Sequence, residues 1–319
     1  IGGIIAFPVI GLLSVYMGWQ YIFIIVGLMG LLWLIPWWIL VKSPPAKHPW
    51  ITDEERKYIL TGQQNQDLDG DGDPDDGYNP DTSTLLSHKE SWGVIIASAA
   101  IDPIWWLFIF WIPIYLNEVY GMDVKSIGFY AWVPYVGAMI GAWFGGLLAQ
   151  NRIKAGWTVN RTRKFVITLG CLIMLPTLLA MSDPAGCVAA VTNLFGMSDL
   201  GGPVSAVMLM AIILFGFQTA IGNVQTLPSD LFGGKSVGTL AGLAGMAAKL
   251  GAFGLTALVP WLTSGGNYTP AFVIGASLAL IAMASVSAET KQNWKQHYKD
   301  DFVDLDKGAI TISLNETHD

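Results

Sequence analysis

Long apolar runs, separated by short segments of glycine, polar and charged residues, dominate the hydrophobic pattern of the chain. A transmembrane helix needs about 20 mostly apolar residues to cross the hydrocarbon core of a bilayer. The pattern therefore predicts an all-α membrane protein with eight spans. Their expected positions are residues 1–17, 21–41, 92–116, 127–149, 165–181, 203–227, 237–261 and 270–287.

The composition of the chain supports a membrane location. Hydrophobic residues make up 53% of the 319 residues and charged residues only 13%, whereas an average soluble domain carries about 25% charged residues. Such a chain cannot cover a globule of this size with polar surface, so the expected surroundings are the lipid bilayer, and no nucleic-acid partner is indicated. The net charge of −7 changes little, because much of the acid lies at 67–81.

The basic residues are distributed unevenly between the loops. If the loop at 42–91 lies on one side and the spans alternate, that side receives all but Lys125 and Lys249 of the 17 Lys and Arg residues. Lysine and arginine are retained on the cytoplasmic side of membrane proteins. The distribution predicts a cytoplasmic central loop and C-terminal tail, with Lys125 and the loop at 182–202 outside.

The central loop at 42–91 divides the chain, with two predicted spans before it and six after it. Transporter folds are commonly built from paired repeats with a binding site between them. We expect residues 1–41 to be the last two helices of an N-terminal bundle, 92–288 to be a six-helix C-terminal bundle, and 289–319 to be a cytoplasmic tail. Because the chain starts inside an apolar run without Met, about four preceding helices are expected to be missing.

The first half of the central loop carries a helix-start signal. Thr52, with Glu55 three residues later, matches the capping-box pattern, in which the threonine side chain accepts from a backbone N–H of the first turn. The pattern predicts a short surface helix from Asp53 to about residue 63.

An acidic insert follows in the same loop. Asp67, Asp69 and Asp71 match the first ligand positions of an EF-hand calcium loop. The last ligand position, where a glutamate normally closes the coordination shell, is Tyr78. A solvated acidic linker is therefore preferred to a calcium site, and no other metal site is predicted.

Several short motifs resemble one family of membrane transporters. The matching segments are Gly18-Trp19-Gln20-Tyr21-Ile22-Phe23, His48-Pro49-Trp50, Glu54-Glu55-Arg56, Asp102-Pro103-Ile104-Trp105-Trp106, Gly128-Phe129-Tyr130-Ala131-Trp132-Val133-Pro134 and Leu227-Pro228-Ser229-Asp230-Leu231-Phe232. Together they resemble helices five to twelve of the twelve-helix major facilitator superfamily, and more narrowly the hexuronate branch of its anion:cation symporter family. The resemblance implies a secondary active transporter of the bacterial inner membrane. It would carry hexuronates, such as galacturonate and glucuronate, together with protons by alternating access.

A basic segment after Gly145-Gly146 resembles the family's gating loop between helices eight and nine. The resemblance assigns Arg161, Arg163 and Lys164 to this gating loop, together with Asp230 at the end of helix ten. The family often has an aspartate shortly after the paired glycines, where this chain has Ala149-Gln150. A charge contact made by that aspartate is therefore not expected here.

Two ionisable residues lie inside predicted spans: Lys249 is midway along 237–261, and Asp102 is about ten residues into 92–116. A charged side chain at the bilayer centre costs roughly 2.5–3.5 kcal/mol on insertion scales, so both residues are candidates for function. Lys249 is expected either to bind a substrate carboxylate or to pair with an acidic residue of the missing helices. Asp102 is expected to bind sugar hydroxyls, carry the coupled proton or pair with Lys249. The alternative for Asp102 is to satisfy backbone groups freed by Pro103.

Uncharged residues complete the predicted substrate site. Trp105, one turn beyond Asp102, is the favoured platform for a sugar ring. Gln218 and Asn223 are five residues apart in one span and should share a face loosely, while Gln225 should point elsewhere. At least one of these amides should face a cavity, and hydrogen bonding between helices is the alternative for each.

Glycines recur at helical spacing in two of the spans. Such stripes typically allow helices to pack closely, and this role is preferred here to ligand contact. The two stripes are Gly137, Gly141 and Gly145, and Gly238, Gly242 and Gly245.

The sequence argues against an intramembrane enzyme. All four histidines lie outside the predicted spans and no HExxH motif is present, so no cofactor or catalytic cluster is expected. The remaining alternatives to proton-coupled hexuronate transport are aldonates or other small organic anions as substrates, sodium as the coupling cation, and passive facilitation.

Overall fold

The computed structural model describes residues 2–41, 47–64, 81–194, 202–231 and 236–288. These residues form thirteen helices and no strand. The helices are α1 Gly2–Tyr16, α2 Trp19–Leu32, α3 Leu34–Leu40, α4 Asp53–Gln64, α5 Thr82–Ser87, α6 Lys89–Tyr120, α7 Val124–Tyr130, α8 Val133–Lys154, α9 Val159–Ala180, α10 Pro184–Leu194, α11 Gly202–Leu231, α12 Ser236–Leu262 and α13 Thr269–Ala288.

Within the described ranges, seven helical segments are long and apolar enough to cross a membrane. They correspond to the second to eighth predicted spans, with α2 and α3 forming one segment and α7 and α8 another. The first predicted span is the shorter apolar helix Gly2–Tyr16. The prediction of an all-α membrane protein is confirmed, although several helices extend beyond their apolar runs because polar residues continue the backbone hydrogen bonding at both ends.

Two segments outside the spans show local capping. The backbone N–H of Glu55 donates to Thr52 Oγ1 at 3.3 Å, so α4 begins where the capping pattern predicts. The segment after α9, which the sequence predicts to be a loop, contains helix α10. This helix begins after Asp183, whose Oδ1 accepts a hydrogen bond from the Gly186 N–H at 3.0 Å. The acidic insert with Asp67, Asp69 and Asp71, and the tail at 289–319, lie outside the described residues.

Helix α11 is the centre of the bundle and packs against α6, α8 and α9. A Cβ atom at Gly141 of α8 would lie only 2.2 Å from the carbonyl oxygen of Phe215 on α11. Added Cβ atoms at Gly137 and Gly145 would likewise meet the α11 backbone, at 2.1 and 2.6 Å. The packing role predicted for this stripe is confirmed, because only glycine permits the two backbones to approach so closely.

The second stripe does not pack in this way. An added Cβ at Gly238, Gly242 or Gly245 would meet nothing within 4 Å among the described residues. The packing prediction for these glycines is wrong for the part of the chain described, because no described helix approaches them as closely as α11 approaches α8.

The remaining helices surround this centre. Helix α12 packs along α6, and α13 packs on α6 and α9. Helix α1 contacts α7 and α8, where the Cα atoms of Gly11 and Gly128 face each other closely enough to exclude a Cβ on either. In α2 and α3 only Ile22 is buried, so the apolar surface of these two helices faces outward.

The α8–α11 contact yields a stability prediction. Gly141→Ala places a methyl group against the Phe215 carbonyl, so it should lower the thermal unfolding midpoint of the full-length protein in detergent. Gly146→Ala, in the same helix, meets nothing within 4 Å and should be neutral or slightly stabilising, because alanine is favoured over glycine in helices by about 1 kcal/mol. Equal midpoints for the two variants would contradict the close approach.

Candidate functional site

An ion pair lies inside the membrane-spanning part of the bundle. Lys249 Nζ, at the midpoint of α12, is 2.8 Å from Asp102 Oδ2 on α6. The helices come close because Gly251 faces the backbone of α6, where a Cβ would lie 2.3 Å from the carbonyl oxygen of Ala99. The structure thus shows the pairing with Lys249 that was one of the alternatives for Asp102, and the acidic partner of Lys249 comes from within this chain.

Trp106 contacts both members of the pair. Its Nε1 donates to Asp102 Oδ2 at 2.9 Å, across one helical turn. Its ring lies beneath Lys249, with Nζ 4.8 Å from the ring centroid, within the range of a cation–π interaction. The sequence analysis favours Trp105 and does not predict that Trp106 contacts Asp102. The spacing of four residues on one helix does indicate this contact.

The ion pair opens on a cavity of about 300 Å³ between α6, α11 and α12. Asp102 and Lys249 are the ionisable groups among its described lining residues. The lining also brings a hydroxyl and an amide, and the rest is apolar or small. These other lining residues are Val94, Ser98, Ile221, Val224, Gln225, Pro228, Ala241, Ala244, Gly245 and Ala248.

A second cavity of about 630 Å³ lies between α1, α6, α8 and α11. Trp105 and Gln218 line it, together with Tyr135 and Trp143. Trp105 stacks on Phe217 with 5.4 Å between ring centroids and meets Tyr135 edge-on at 5.8 Å. Because Trp105 follows Asp102 by one turn, the two cavities lie along one face of α6, on either side of that turn.

The three amides of α11 are arranged differently from the prediction. Gln218 and Gln225 both line cavities, whereas Asn223 is buried and lines neither described cavity. The physical reason is helical geometry: seven residues complete nearly two turns, so Gln218 and Gln225 share a face, and five residues leave Asn223 well away from Gln218. The prediction that Gln218 loosely shares a helix face with Asn223, while Gln225 points elsewhere, was wrong.

Asn223 belongs to a polar network at the end of the bundle where α8 ends and α9 begins, here called the basic end. Arg163 Nε is 2.7 Å from Asp230 Oδ2, and Arg163 Nη1 donates to Asn223 Oδ1 at 2.9 Å. Asn223 Nδ2 in turn donates to the Thr219 carbonyl at 3.2 Å. Asp230 on α11 thus makes a charge contact with the gating loop. This contact does not come from the residues that follow the glycine pair, because those residues are the uncharged Ala149-Gln150.

The other two gating residues point elsewhere. The Arg161 guanidinium lies 4.2 Å from the ring centroid of Trp157. Lys164 Nζ donates to the Ser287 carbonyl at 3.0 Å and links α9 to α13. Of the four residues assigned to the gating loop, Arg163 and Asp230 therefore form an interhelical ion pair. Arg161 makes a cation–π contact, and Lys164 donates a hydrogen bond to a backbone carbonyl.

Two groups at the opposite end of the bundle have perturbed pKa values. Burial, followed by a hydrogen bond from its hydroxyl to the Glu118 carboxylate, raises the pKa of Tyr268. Hydrogen bonds from the side chain and backbone of Ser126 lower the pKa of Asp123, which caps α7. Both contacts fix helix ends, and neither lies in a cavity described above.

No group of three or more His, Cys, Asp or Glu side chains that could hold a metal ion occurs in the described ranges. Near the midpoints of α6 and α12, a lysine and an aspartate form an ion pair beside a cavity. A bundle of apolar helices with such a cavity defines a polytopic membrane protein with a partly polar cavity between its helices.

Comparison with known families identifies the class. Residues 1–254 match the model of the Major Facilitator Superfamily. The chain belongs to this superfamily, which confirms the resemblance drawn from its motifs and places it among transporters and not among enzymes.

Several relatives are named as transporters of sugar acids. The chain is 32% identical to the hexuronate transporter of Escherichia coli K12 over 88% of its own length and 60% of that protein. It is 32% identical to the galacturonate transporter of Dickeya chrysanthemi over 55% of the chain and 49% of the relative. It is 27% identical to the D-galactonate transporter of Escherichia coli O6:H1, over 84% and 59%. The chain therefore spans about 60% of the length of the first of these relatives.

The network at the basic end yields a second stability prediction. Arg163→Gln and Asp230→Asn should each lower the thermal midpoint of the full-length protein, and the double variant should lower it little further. The reason is that each single change leaves a half-buried charge without its partner, with a coupling of about 1–2 kcal/mol expected for contacting residues. Arg161→Gln is the matched control, since Arg161 contacts the Trp157 ring and not Asp230. Additive losses would contradict the coupling.

Proposed function

We propose that the protein is a proton-coupled symporter of sugar-acid anions, with hexuronates such as galacturonate and glucuronate as substrates. The observation that carries this proposal is the Lys249–Asp102 pair, which opens on a cavity at the middle of α12. The named functions of the hexuronate and galacturonate transporters support the substrate class.

In this proposal Lys249 binds the substrate carboxylate. Its side chain is 61% exposed, although it lies in the middle of a membrane-spanning helix, so the ammonium group is accessible from the cavity. An ammonium–carboxylate contact is stronger than a hydrogen bond between neutral groups. Asp102 is the proposed proton carrier of the coupled cycle.

The sugar portion of the substrate would be recognised by uncharged groups. Gln225 and Ser98 line the cavity beside the ion pair and can hydrogen-bond to hydroxyl groups. Trp105 and Gln218 line the larger cavity on the same face of α6 and would contact the remainder of the sugar. Asn223, which is engaged by Arg163, is left out of this binding role.

We further propose that the protein lies in the bacterial inner membrane with the basic end, the central loop and the C-terminal tail in the cytoplasm. Residues 1–41 would belong to one bundle and 92–288 to the other, and the two would rock about the site between them, as in transporters built from paired repeats. The retention of basic residues in cytoplasmic loops supports this orientation.

A second candidate substrate class is supported by one observation. The match to a D-galactonate transporter covers 84% of the chain, and an aldonate presents the same carboxylate to Lys249 with an open polyol in place of a sugar ring. Uptake of galacturonate and galactonate by the same cells would rank the two classes.

Lys249→Gln in the full-length protein should raise the apparent KM for galacturonate uptake at least tenfold. Loss of one charge-assisted contact is worth about 1.5–3 kcal/mol, and 1.4 kcal/mol corresponds to a factor of ten in affinity. Lys125→Gln, which removes an exposed lysine from the start of α7, is the control and should leave the KM unchanged. Unchanged uptake by Lys249→Gln would refute the binding role.

Cells that express the natural full-length protein also test whether galacturonate uptake is coupled to protons. A protonophore should abolish accumulation of galacturonate above its external concentration, because the proton gradient would then drive no uphill transport. Accumulation that survives the protonophore but requires sodium would identify sodium as the coupling cation. Transport that never exceeds the external concentration would identify a passive facilitator.

The proposed orientation has its own test in a cysteine-free background. Lys125→Cys and Lys154→Cys place thiols at two exposed positions on opposite ends of the α7–α8 segment. A membrane-impermeant maleimide should label Lys125→Cys in intact cells and Lys154→Cys only after permeabilisation. The reverse pattern would invert the topology.

A further inference from the structure

The turn between α8 and α9 places a tryptophan against an arginine at the basic end. Helix α8 ends in a Schellman motif, in which Trp157 N–H donates to the Arg152 carbonyl at 3.0 Å and Gly156 N–H to the Ile153 carbonyl at 2.9 Å. Gly156 has a φ of 85°, a left-handed conformation that glycine adopts without steric cost. The chain folds back in this way, and the Arg152 guanidinium lies 5.0 Å from the centroid of the Trp157 ring.

A second arginine reaches the same ring from the first turn of α9. Thr158 caps this helix, since its Oγ1 accepts a hydrogen bond from the Arg161 N–H at 3.3 Å. The Arg161 guanidinium lies 4.2 Å from the Trp157 centroid. We call Arg152, Trp157 and Arg161 the arginine–tryptophan cluster. Two positive charges from two different helices thus share one aromatic ring.

The hydrogen-bond donors of both guanidinium groups remain available. Among the described residues, the side chains of Arg152 and Arg161 contact aromatic rings and form no hydrogen bond or ion pair. A guanidinium presents its N–H groups as a planar fork that matches the oxygens of a phosphate, and it can do so while it packs on an aromatic ring. The cluster is therefore suited to bind a phosphate between its two arginines.

The charge around the cluster favours an anionic partner. Residues 150–165 include five basic residues and no acidic residue. Asp230, which contacts this segment from α11, is 2.7 Å from Arg163 and is thus engaged outside the cluster. The positive charge of Arg152 and Arg161 is not neutralised by any described carboxylate, so an anion from outside the described chain can pair with it.

The surface of α9 beyond the cluster is apolar. Leu172 and Leu179 follow Arg161 by 11 and 18 residues, which is about three and five helical turns, so the three residues share one face. The two leucines are 51% and 44% exposed, although α9 is long and apolar enough to cross a membrane. This face therefore provides apolar surface for an acyl chain directly below the two arginines.

We propose that the arginine–tryptophan cluster binds the phosphate of an anionic phospholipid, whose acyl chains lie along Leu172 and Leu179. A soluble phosphate compound would use the charge of the cluster but not the apolar face of α9. Basic residues directly beyond a membrane span attract anionic lipids, and tryptophan is enriched at the membrane–water interface. A bound lipid would link the end of α8 to the start of α9 through Arg152 and Arg161. This inference does not depend on the identity of the transported substrate.

Lipid binding to the delipidated full-length protein can be measured by native mass spectrometry in detergent. Phosphatidylglycerol and phosphatidylcholine both carry a phosphate, but only phosphatidylglycerol has a net negative charge. The natural protein should bind phosphatidylglycerol at least tenfold more tightly. The double variant Arg152→Gln/Arg161→Gln should lose at least tenfold in this affinity, because one basic residue near an anionic lipid surface contributes roughly fivefold.

Two further double variants serve as controls. Lys57→Gln/Lys125→Gln removes the same charge from exposed positions outside the cluster and should leave the preference for phosphatidylglycerol unchanged. Arg152→Lys/Arg161→Lys retains the charge but removes the planar fork, so it should weaken binding several-fold. This variant also keeps the test decisive if Arg152→Gln/Arg161→Gln does not fold.

Several outcomes would overturn the proposal. Equal losses from the arginine and lysine double variants to Gln would indicate unspecific charge attraction, and unchanged binding by both arginine variants would exclude the cluster. Displacement of the lipid by an equal concentration of soluble glycerol phosphate would identify a site for soluble phosphates instead. Binding of phosphatidylglycerol that appears only after Asp67, Asp69 and Asp71 are changed to Asn would assign the cluster to the acidic insert of the same chain.

Discussion

A charged side chain in a membrane-spanning helix needs a partner, and this constraint organises the centre of the molecule. Isolated in the bilayer, Lys249 or Asp102 would cost roughly 2.5–3.5 kcal/mol on insertion scales. Their separation of 2.8 Å and the contacts of Trp106 with both side chains offset part of that cost. The same pairing leaves the lysine facing the cavity, so the group that the fold must neutralise is also the group best placed to meet an anion.

Glycine makes this pairing geometrically possible. Gly251 lets α12 approach α6 closely enough for Lys249 to reach Asp102, and Gly141 with its neighbours lets α8 approach α11. Such small-residue contacts are the usual basis of helix association in membranes, where no hydrophobic force drives two apolar helices together. The position of the charged site therefore follows from backbone contacts that involve no charged residue. The ion pair of Arg163 with Asp230 secures α9 to α11 at the basic end, separate from the cavity lining.

The spans and the two charged residues near their midpoints could be predicted from the sequence, because both depend on local composition alone. The sequence predicted less well which faces meet. The helical period places Gln218 with Gln225 and separates Asn223 from both, so the predicted loose pairing of Gln218 with Asn223 gave too much weight to a spacing of five residues. Which helix lies next to α12 depends on how the whole bundle packs. Periodicity along the chain therefore could not predict that Trp106 contacts Lys249, or that no described helix approaches Gly245 closely. The short helix α10 was missed because its small, weakly apolar residues give little periodic signal.

The central claim is that Lys249 recognises the negative charge of the substrate, and the most direct test varies the ligand and the residue together. Equilibrium binding of galacturonate and of neutral galactose would be measured on the full-length protein and on Lys249→Gln. The natural protein should prefer the acid to the neutral sugar by at least tenfold, and Lys249→Gln should lose most of this preference while its affinity for galactose stays unchanged. An equal preference for the acid in both proteins would show that Lys249 does not recognise the charge of the substrate.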